Sequence, residues 1–283
     1  MNSRYGNVVL VTGASSGIGR SVAVYLAGKG LRVYGTSRKP QSEEEAGVEQ
    51  NESSGGFIKM LRMDVCSEDS VRAAIDKVIE LEGEIGVVVN NAGIGIAGSV
   101  EDTSPEEAFV QFDTNFFGMH RVVRQVLPHM RKKGRGLIIN MSSVGALFPI
   151  PYQSMYVASK AAIEGMSGSL RNELKPFGIK VSMVEPGDTK TGFTASRIFV
   201  KEGGEGSAYK NYSDRSVAVM VHDETHGPDP VVVARVVGKI IKKRNPPVVK
   251  TVGFQYKLLV FAKRIIPKVL ESFIVGKMYE GRE

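Results

Sequence analysis

Short runs of apolar residues recur along the chain and alternate with longer segments whose apolar residues return at helical spacing. Continuous apolar runs are typical of strands buried on both faces of a parallel sheet. Strands joined by helices favour right-handed crossovers, with helices on both faces of the sheet. The pattern therefore predicts an α/β protein with a doubly wound parallel sheet. Six strands are predicted at residues 7–12, 31–38, 57–65, 87–89, 136–141 and 179–184, and residues 248–252 fit a last one.

The segments between these strands differ in their patterns. Residues 40–56, rich in Glu, Ser and Gly, are predicted to form a polar connection with at most a short helix. Ser104 followed by Pro105 indicates the capped start of a helix. The apolar stripe of this helix is predicted to lie in the core or against another subunit, and comprises Phe109, Phe112, Phe116, Phe117 and Val122. No linker rich in Pro and Ser divides the chain, so one domain is the simpler interpretation.

The C-terminal part has its own charge pattern. Residues 231–270 contain ten basic side chains and no acidic one, within a chain of net charge +7. From residue 255 onward, apolar side chains recur with cations between them, interrupted at Pro267. We therefore separate a main domain, residues 1–250, from a basic amphipathic extension, residues 251–283. Two interpretations stay open. The extension packs on its own subunit or on a second one, or it forms a lid that contacts a membrane.

Composition limits the environment of the protein. Cys66 is the single cysteine, so an internal disulfide is excluded and a reducing compartment is expected. The chain has neither an uninterrupted apolar run of about 18 residues nor an apolar segment near its start long enough for a signal peptide. A cytoplasmic protein is expected, with peripheral membrane contact as the alternative. No nucleic-acid partner is predicted, and His222 and His226 lack the partners that a metal site needs.

A glycine-rich turn follows the first predicted strand. Gly13, Gly17 and Gly19 lie between this strand and a segment with helical spacing. A strand, a glycine turn and a helix together place backbone N–H groups and a helix N-terminus against a phosphate. The spacing Gly-x-x-x-Gly-x-Gly is longer than the common Gly-x-Gly-x-x-Gly. In this context it predicts a nucleotide-binding site.

The end of the second predicted strand discriminates between cofactors. In a dinucleotide-binding fold this position meets the adenosine ribose, where a carboxylate would repel a 2′-phosphate. The chain has Ser37 and then Arg38, whose guanidinium can bind phosphate oxygens in a forked arrangement. NADP(H) is therefore predicted over NAD(H), with Arg38 as the discriminating residue.

Tyr156 and Lys160 are four residues apart in a segment of helical composition. Both side chains consequently leave the same face of a helix and can act on one bound molecule. An ammonium near a phenol stabilises the phenolate and lowers its pKa from about 10. Tyr156 is therefore a candidate general acid/base, with Lys160 tuning its pKa.

These motifs, in their order and spacing, resemble the short-chain dehydrogenase/reductase family, in its short single-domain subgroup that includes hydroxysteroid and retinol dehydrogenases. The resemblance spans roughly residues 5–195. It rests on residues 12–19, Asp64-Val65, residues 90–93, Asn115, Ser143, residues 156–160 and Pro186-Gly187. It implies a Rossmann-type sheet in a single domain, which this chain would continue as a C-terminal helical extension.

The resemblance also implies roles for individual residues. Tyr156 would exchange a proton with the substrate oxygen, and Ser143 would donate a hydrogen bond to that oxygen. Lys160 would hold the nicotinamide ribose, and Asn115 would keep a helix irregular and anchor a water. The implied cofactor-binding residues are Gly13, Ser15, Ser16, Gly17, Ile18, Gly19, Ser37, Arg38, Asp64, Val65, Asn91, Ala92, Gly93, Tyr156, Lys160, Pro186, Gly187, Thr189 and Thr191. Residues 188–230 would cover the substrate.

The expected function is an NADP(H)-dependent oxidoreductase that interconverts a carbonyl and an alcohol on a lipophilic substrate. One alternative is a 3-oxoacyl-thioester reductase of the fatty-acid type, because the basic surface would suit an acidic carrier. Another is a non-catalytic NADP(H)-binding sensor or scaffold. The resemblance further implies a homodimer or homotetramer, formed through helices near residues 105–130 and 153–173.

Overall fold

The computed structural model describes residues 3–39 and 48–280. Its strands are β1 Val8–Thr12, β2 Arg32–Ser37, β3 Glu49–Asn51, β4 Gly56–Arg62, β5 Val87–Asn90, β6 Ile96–Ala97, β7 Gly136–Met141, β8 Ile179–Glu185, β9 Ile198–Phe199 and β10 Val249–Thr251. Every strand predicted from the apolar runs is present, including the last one.

The main sheet has eight strands in the order β10-β8-β7-β5-β1-β2-β4-β3. The neighbours from β10 to β4 pair in parallel, which confirms the predicted parallel sheet. From β1 the chain moves outward through β2 and β4, then returns to β5 on the other side of β1. The loops after β1 and β5 therefore diverge and open a crevice at the carboxyl ends of the strands.

The sequence-based interpretation of residues 40–56 needs a correction. Glu49–Asn51 form an antiparallel edge strand against β4, with Gln50 opposite Phe57, where at most a short helix was predicted. Backbone pairing alone builds this strand, because its side chains are polar and largely exposed and leave no apolar pattern to detect. Residues 40–47 of the predicted connection lie outside the described residues.

The helices are α1 Gly17–Ala27, α2 Glu68–Glu82, α3 Pro105–Phe112, α4 Gly118–Lys133, α5 Ser154–Glu173, α6 Lys210–Thr225, α7 Val231–Ile241, α8 Phe254–Lys263 and α9 Lys268–Tyr279. The predicted cap of α3 is present: the Ser104 hydroxyl accepts from the Glu107 amide at 3.1 Å, and the Glu107 carboxylate accepts from the Ser104 amide at 3.0 Å. None of the described helices is long and apolar enough to cross a membrane.

The core lies on both faces of the main sheet. Along β1, Val9 and Val11 belong to one apolar cluster, whereas Val8 and Leu10 belong to the other. This division follows from the alternation of side chains along a strand, and it explains why β1 is apolar throughout. The predicted stripe on α3 and α4 is divided, because Val122 is buried while Phe109 and Phe117 are exposed.

The C-terminal extension contacts the main domain. Val275 of α9 packs with Val144 and Phe148 in a third apolar cluster, which Tyr256 and Val260 of α8 also join. The cluster lies beside the loop that follows β7. The helices α8 and α9 therefore cover the crevice at the carboxyl ends of the strands. The division at residue 250 stays a prediction, and β10 crosses it.

Candidate active site

The glycine turn after β1 is tightly packed. Gly13 and Gly17 have φ angles of +66° and +55°, which favour glycine. A Cβ on Gly19 would lie 2.2 Å from the Gly13 carbonyl oxygen, so a side chain at Gly19 would push the turn open. The Asn91 amide Nδ2 donates to the carbonyls of Thr12 at 3.0 Å and Gly13 at 3.2 Å, and thus holds the turn to the end of β5.

The first turn of α1 begins directly at this loop. Ser16 is the N-cap residue, but its side chain makes no capping hydrogen bond. The backbone N–H groups of the first turn consequently point toward the crevice without a side-chain acceptor. Backbone donors at a helix N-terminus favour anions, so this turn suits the pyrophosphate of a dinucleotide.

The end of the cleft beside β2 is basic. Ser37 ends β2, and Ser37, Arg38 and Lys39 all line the cleft. No carboxylate stands at the end of β2, where one would accept from both ribose hydroxyls. After the adjacent strand β4, the Asp64 carboxylate accepts a hydrogen bond from the Cys66 amide at 3.0 Å. The Asp64 side chain therefore stabilises the turn that follows it.

Tyr156 and Lys160 lie one turn apart on α5, as predicted. The Lys160 Nζ donates to the carbonyl of Met141, the last residue of β7, at 2.9 Å, and lies 5.8 Å from the centre of the Tyr156 ring. Ser143 follows β7, and its hydroxyl accepts from the Gly145 amide at 3.0 Å. The serine, tyrosine and lysine therefore converge on one cleft.

The protonation of this group differs from the sequence-based expectation. Burial raises the pKa of Tyr156, and a hydrogen bond with Ser143 lowers it by less. Burial also lowers the pKa of Lys160 to about 8. The expected lowering of the Tyr156 pKa is therefore wrong for the protein's own groups, because desolvation outweighs the stabilisation of the phenolate.

Asn115 lies behind the cleft. It belongs to a π-helical turn, Asp113–Phe117, between α3 and α4, so the helix is irregular as predicted. Its Oδ1 accepts from the Ile94 amide at 2.8 Å, and its Nδ2 donates to the Ile94 carbonyl and the Ser159 hydroxyl, each at 3.1 Å. The wider turn thus brings one amide side chain into contact with both the β5 loop and α5.

The cleft has a volume of about 880 Å³. With the exception of Gly19 and Asn115, every residue predicted for catalysis or cofactor binding lines it. Gly19 is buried within the turn, and Asn115 supports the wall from behind. The loop after β8 reaches the glycine turn, because a Cβ on Gly17 would lie 3.3 Å from the Cβ of Thr191.

The end of the cleft near Phe193 is lined mostly by apolar side chains, although Lys263 and Glu271 also line it. The Phe193 ring lies 5.8 Å from the Tyr156 ring, centre to centre, and the helices α8 and α9 form a roof. The apolar lining of this end comprises Phe148, Ile150, Phe193, Ile198, Met220, Leu259, Ile266, Ile274, Val275 and Met278. A long apolar group bound near Tyr156 would therefore be shielded from water.

Several residues that line the cleft or its wall were not predicted from the sequence. Lys39 follows Arg38 directly after β2 and also lines the cleft, and this pair of adjacent basic residues was visible in the sequence. Asp188 received no role, yet it lines the cleft and accepts a hydrogen bond from the Tyr256 hydroxyl. Gln153 is buried in the cleft wall, and its Nε2 has no hydrogen-bond partner among the described residues. Tyr256 carried no detectable signal, because only the folded chain brings α8 to the loop after β8.

Comparisons with known proteins agree with this geometry. A family model for short chain dehydrogenase matches residues 7–198. The chain is 42% identical to 3-ketodihydrosphingosine reductase of Bacteroides thetaiotaomicron over 256 residues, covering 90% of this chain and 91% of the relative. It is 33% identical to retinol dehydrogenase 8 of Bos taurus over 270 residues, covering 92% and 85%.

A solved structure of a short-chain dehydrogenase from Streptomyces avermitilis superposes with a TM-score of 0.80 at 29% identity, covering 98% of this chain and 99% of that one. The extension is thus included in the similarity. The Rossmann-type fold and a cleft built for a nicotinamide cofactor are features of the same family. We conclude that the chain belongs to the short-chain dehydrogenase family and is an oxidoreductase.

Proposed function

We propose that the protein is an NADP(H)-dependent reductase of a long-chain ketone, with Tyr156 as the general acid. The observation that carries the proposal is the shared cleft, in which Ser143, Tyr156 and Lys160 face an apolar end roofed by α8 and α9. The three polar side chains suit a substrate carbonyl, and the apolar end of the cleft suits an alkyl chain.

The proposed chemistry divides between the cofactor and the chain. A bound nicotinamide cofactor supplies the hydride for reduction or accepts it in oxidation. Tyr156 gives its hydroxyl proton to the carbonyl oxygen, and the Ser143 hydroxyl donates a hydrogen bond to the same oxygen. Burial raises the pKa of Tyr156, so its phenol stays protonated at neutral pH, which is the form that a general acid for reduction requires. Lys160 supplies a nearby cation when the phenolate forms.

The preference for NADP(H) is supported by charge at the adenosine end. Arg38 and Lys39 both line the cleft directly after Ser37, and no carboxylate stands at the end of β2. A 2′-phosphate carries the negative charge that these two cations complement.

The first candidate substrate is 3-ketodihydrosphingosine, after which the Bacteroides relative is named. This molecule combines a ketone, a primary ammonium on the neighbouring carbon and a long alkyl chain. Asp188 lines the cleft and makes no salt bridge with any described residue. Burial raises the pKa of Asp188, the hydrogen bond from Tyr256 lowers it by less, and the nearby Asp223 adds to the rise. An ammonium beside Asp188 would offset this penalty on the charged carboxylate.

The substrate is tested by the oxidation of NADPH with four carbonyl compounds. These are 3-ketodihydrosphingosine, a chain-matched ketone without the amine, a 3-oxoacyl thioester and retinal. We expect the highest kcat/KM for the amino ketone. Asp188→Asn should lower that value about tenfold, while the amine-free ketone changes less than about twofold, because only the amino ketone loses a charge partner. A thioester preference, or equal losses for both ketones, contradicts the proposed substrate.

Catalysis by Tyr156 is tested separately. Tyr156→Phe keeps the ring but removes the hydroxyl group that donates the proton, so kcat should fall roughly 10²–10⁴-fold. Cofactor affinity, measured by NADPH fluorescence, should hardly change. Full activity in this variant would remove Tyr156 from catalysis, and an inactive wild-type protein that still binds NADPH would favour the sensor or scaffold function.

A further inference from the structure

The outer surface of the C-terminal helices is strongly apolar. Val269 is 84% exposed, Phe254 76% and Ile265 71%. We call this surface the outer face of α8–α9, and its exposed apolar residues, none of which lines the cleft, are Phe254, Leu258, Phe261, Ile265, Val269, Leu270 and Phe273. A contiguous apolar segment of this kind marks an interaction surface, whereas single exposed apolar side chains are ordinary.

The helices do not need this face to stay in place. Their inner side packs on the main domain through Tyr256, Val260 and Val275. The Lys263 ammonium lies 5.0 Å from the centre of the Phe148 ring and pairs with the buried Glu271. The most exposed apolar residues, including Ile265 and Val269, line neither the cleft nor this cluster. Their exposure therefore calls for a partner outside the chain.

Unpaired cations lie among these apolar residues. Lys257, Arg264 and Lys268 form no ion pair with any residue that the structure describes, whereas Lys277 pairs with Glu280. Glu271 of α9 and Glu280 directly after it are thus already paired with Lys263 and Lys277, and neither is left for these three cations. The outer face consequently presents apolar side chains with a net positive charge.

We propose that the outer face of α8–α9 binds the surface of a lipid bilayer that contains anionic headgroups. Helices of this composition lie in the plane of the interface, with apolar side chains at the acyl boundary and cations at the headgroups. A second copy of the chain fits less well. A two-fold contact would place the same net positive patch on both sides, so two surfaces of like charge would face each other.

The proposal is tested by sedimentation with vesicles, without turnover. We expect the full-length protein to bind vesicles of phosphatidylcholine with phosphatidylglycerol, and to bind pure phosphatidylcholine at least about tenfold more weakly. Salt should weaken the binding, because exposed charges are screened. Equal affinity for both compositions, or no binding to either at low salt, would overturn the proposal.

Two pairs of variants identify the surface. Ile265→Ser/Val269→Ser should weaken vesicle binding about tenfold or more, since two inserted apolar side chains are lost. Val24→Ser makes a similar change at a 49% exposed valine on α1 and should have no effect. Lys268→Glu should likewise weaken binding, whereas Lys133→Glu at the end of α4 should not.

Circular dichroism and thermal melting of each variant show whether it remains folded. Equal losses in the test and control variants would overturn the assignment of the surface. A wild-type dimer in sedimentation velocity that Ile265→Ser/Val269→Ser dissociates would overturn it too, because the face would then hold a second copy. Reductase activity enters none of these measurements, so a wrong substrate leaves the test intact.

Discussion

At the scale of single residues, burial decides the direction in which the pKa values of Tyr156 and Lys160 are shifted. The sequence places an amine one turn from Tyr156, which by itself would lower the phenol pKa. The folded chain buries both side chains, and desolvation raises the pKa of Tyr156 while lowering that of Lys160. The residue pair was predictable from spacing, but the direction of the Tyr156 shift was not. Its sign depends on the surrounding chain segments.

Arg38→Asp tests the cofactor preference at the same scale. The new carboxylate would repel a 2′-phosphate and accept from both hydroxyls of an unphosphorylated ribose. The ratio of kcat/KM for NADPH to that for NADH should therefore fall about tenfold or more. Lys29→Asp at the end of α1, away from the cleft, serves as the charge control. An unchanged ratio in Arg38→Asp would refute the assignment.

At the scale of elements, the contact between α8 and the loop after β8 couples the extension to the site. The Tyr256 hydroxyl donates to the Asp188 carboxylate and accepts from the Asp188 amide at 3.1 Å. Gly187 lies directly beneath the ring: a Cβ there would be 2.0 Å from the Tyr256 Cε2. The helix α8 and the loop after β8 therefore fit together only because position 187 lacks a side chain.

Gly187→Ala should consequently displace the roof. We expect a loss of about 1–3 kcal/mol in the free energy of unfolding, as for overpacked sites. Gly192→Ala in the same loop is the matched control, since a Cβ there meets nothing within 4 Å. The measurement is urea unfolding, repeated in a Tyr256→Ala background. If the two changes act through one contact, the loss caused by Gly187→Ala should largely disappear there. Additive losses in the double variant would contradict a shared contact between Gly187 and Tyr256.

At the scale of the whole molecule, the sheet topology assembles the site. Ser143 and Tyr156 lie far along the chain from the glycine turn, and they meet it because β1, β5 and β7 are neighbours in the sheet. The same assembly buries Lys160 between α5 and the end of β7. A buried ionisable group links the stability of the whole fold to pH.

The pKa of Lys160 predicts the direction of this dependence. Its folded-state pKa is about 8, below the ordinary value of 10.5. Between these pH values the unfolded chain binds more protons, so raising the pH should increase the contribution of Lys160 to folding stability. Urea unfolding from pH 7 to about pH 10.5 measures this slope. Lys160→Met should reduce it, whereas Lys133→Met at an exposed position should not. An unchanged slope in Lys160→Met would contradict the burial argument.

Strands and helices were predictable from the sequence where their burial leaves a local pattern of apolar residues, and were not predictable where it leaves none. The strands β1, β5 and β7 are buried on both faces, so each forms a continuous apolar run that could be recognised in the sequence. The edge strand β3 has polar, exposed side chains and depends on backbone pairing with β4, which no local pattern reveals. The split of the α3–α4 stripe into buried Val122 and exposed Phe109 likewise follows from packing.

The sequence by itself determined the α/β class, the strands of the parallel sheet and the family, because these depend on local periodicity and on short motifs. It also predicted Ser143, Tyr156 and Lys160 as site residues, and the structure brings these three side chains to one cleft. Only the tertiary structure placed α8 and α9 over the cleft, brought Tyr256 to Asp188 and raised the pKa of Tyr156. These features arise from contacts between distant segments and from desolvation, which exist only once the chain has folded.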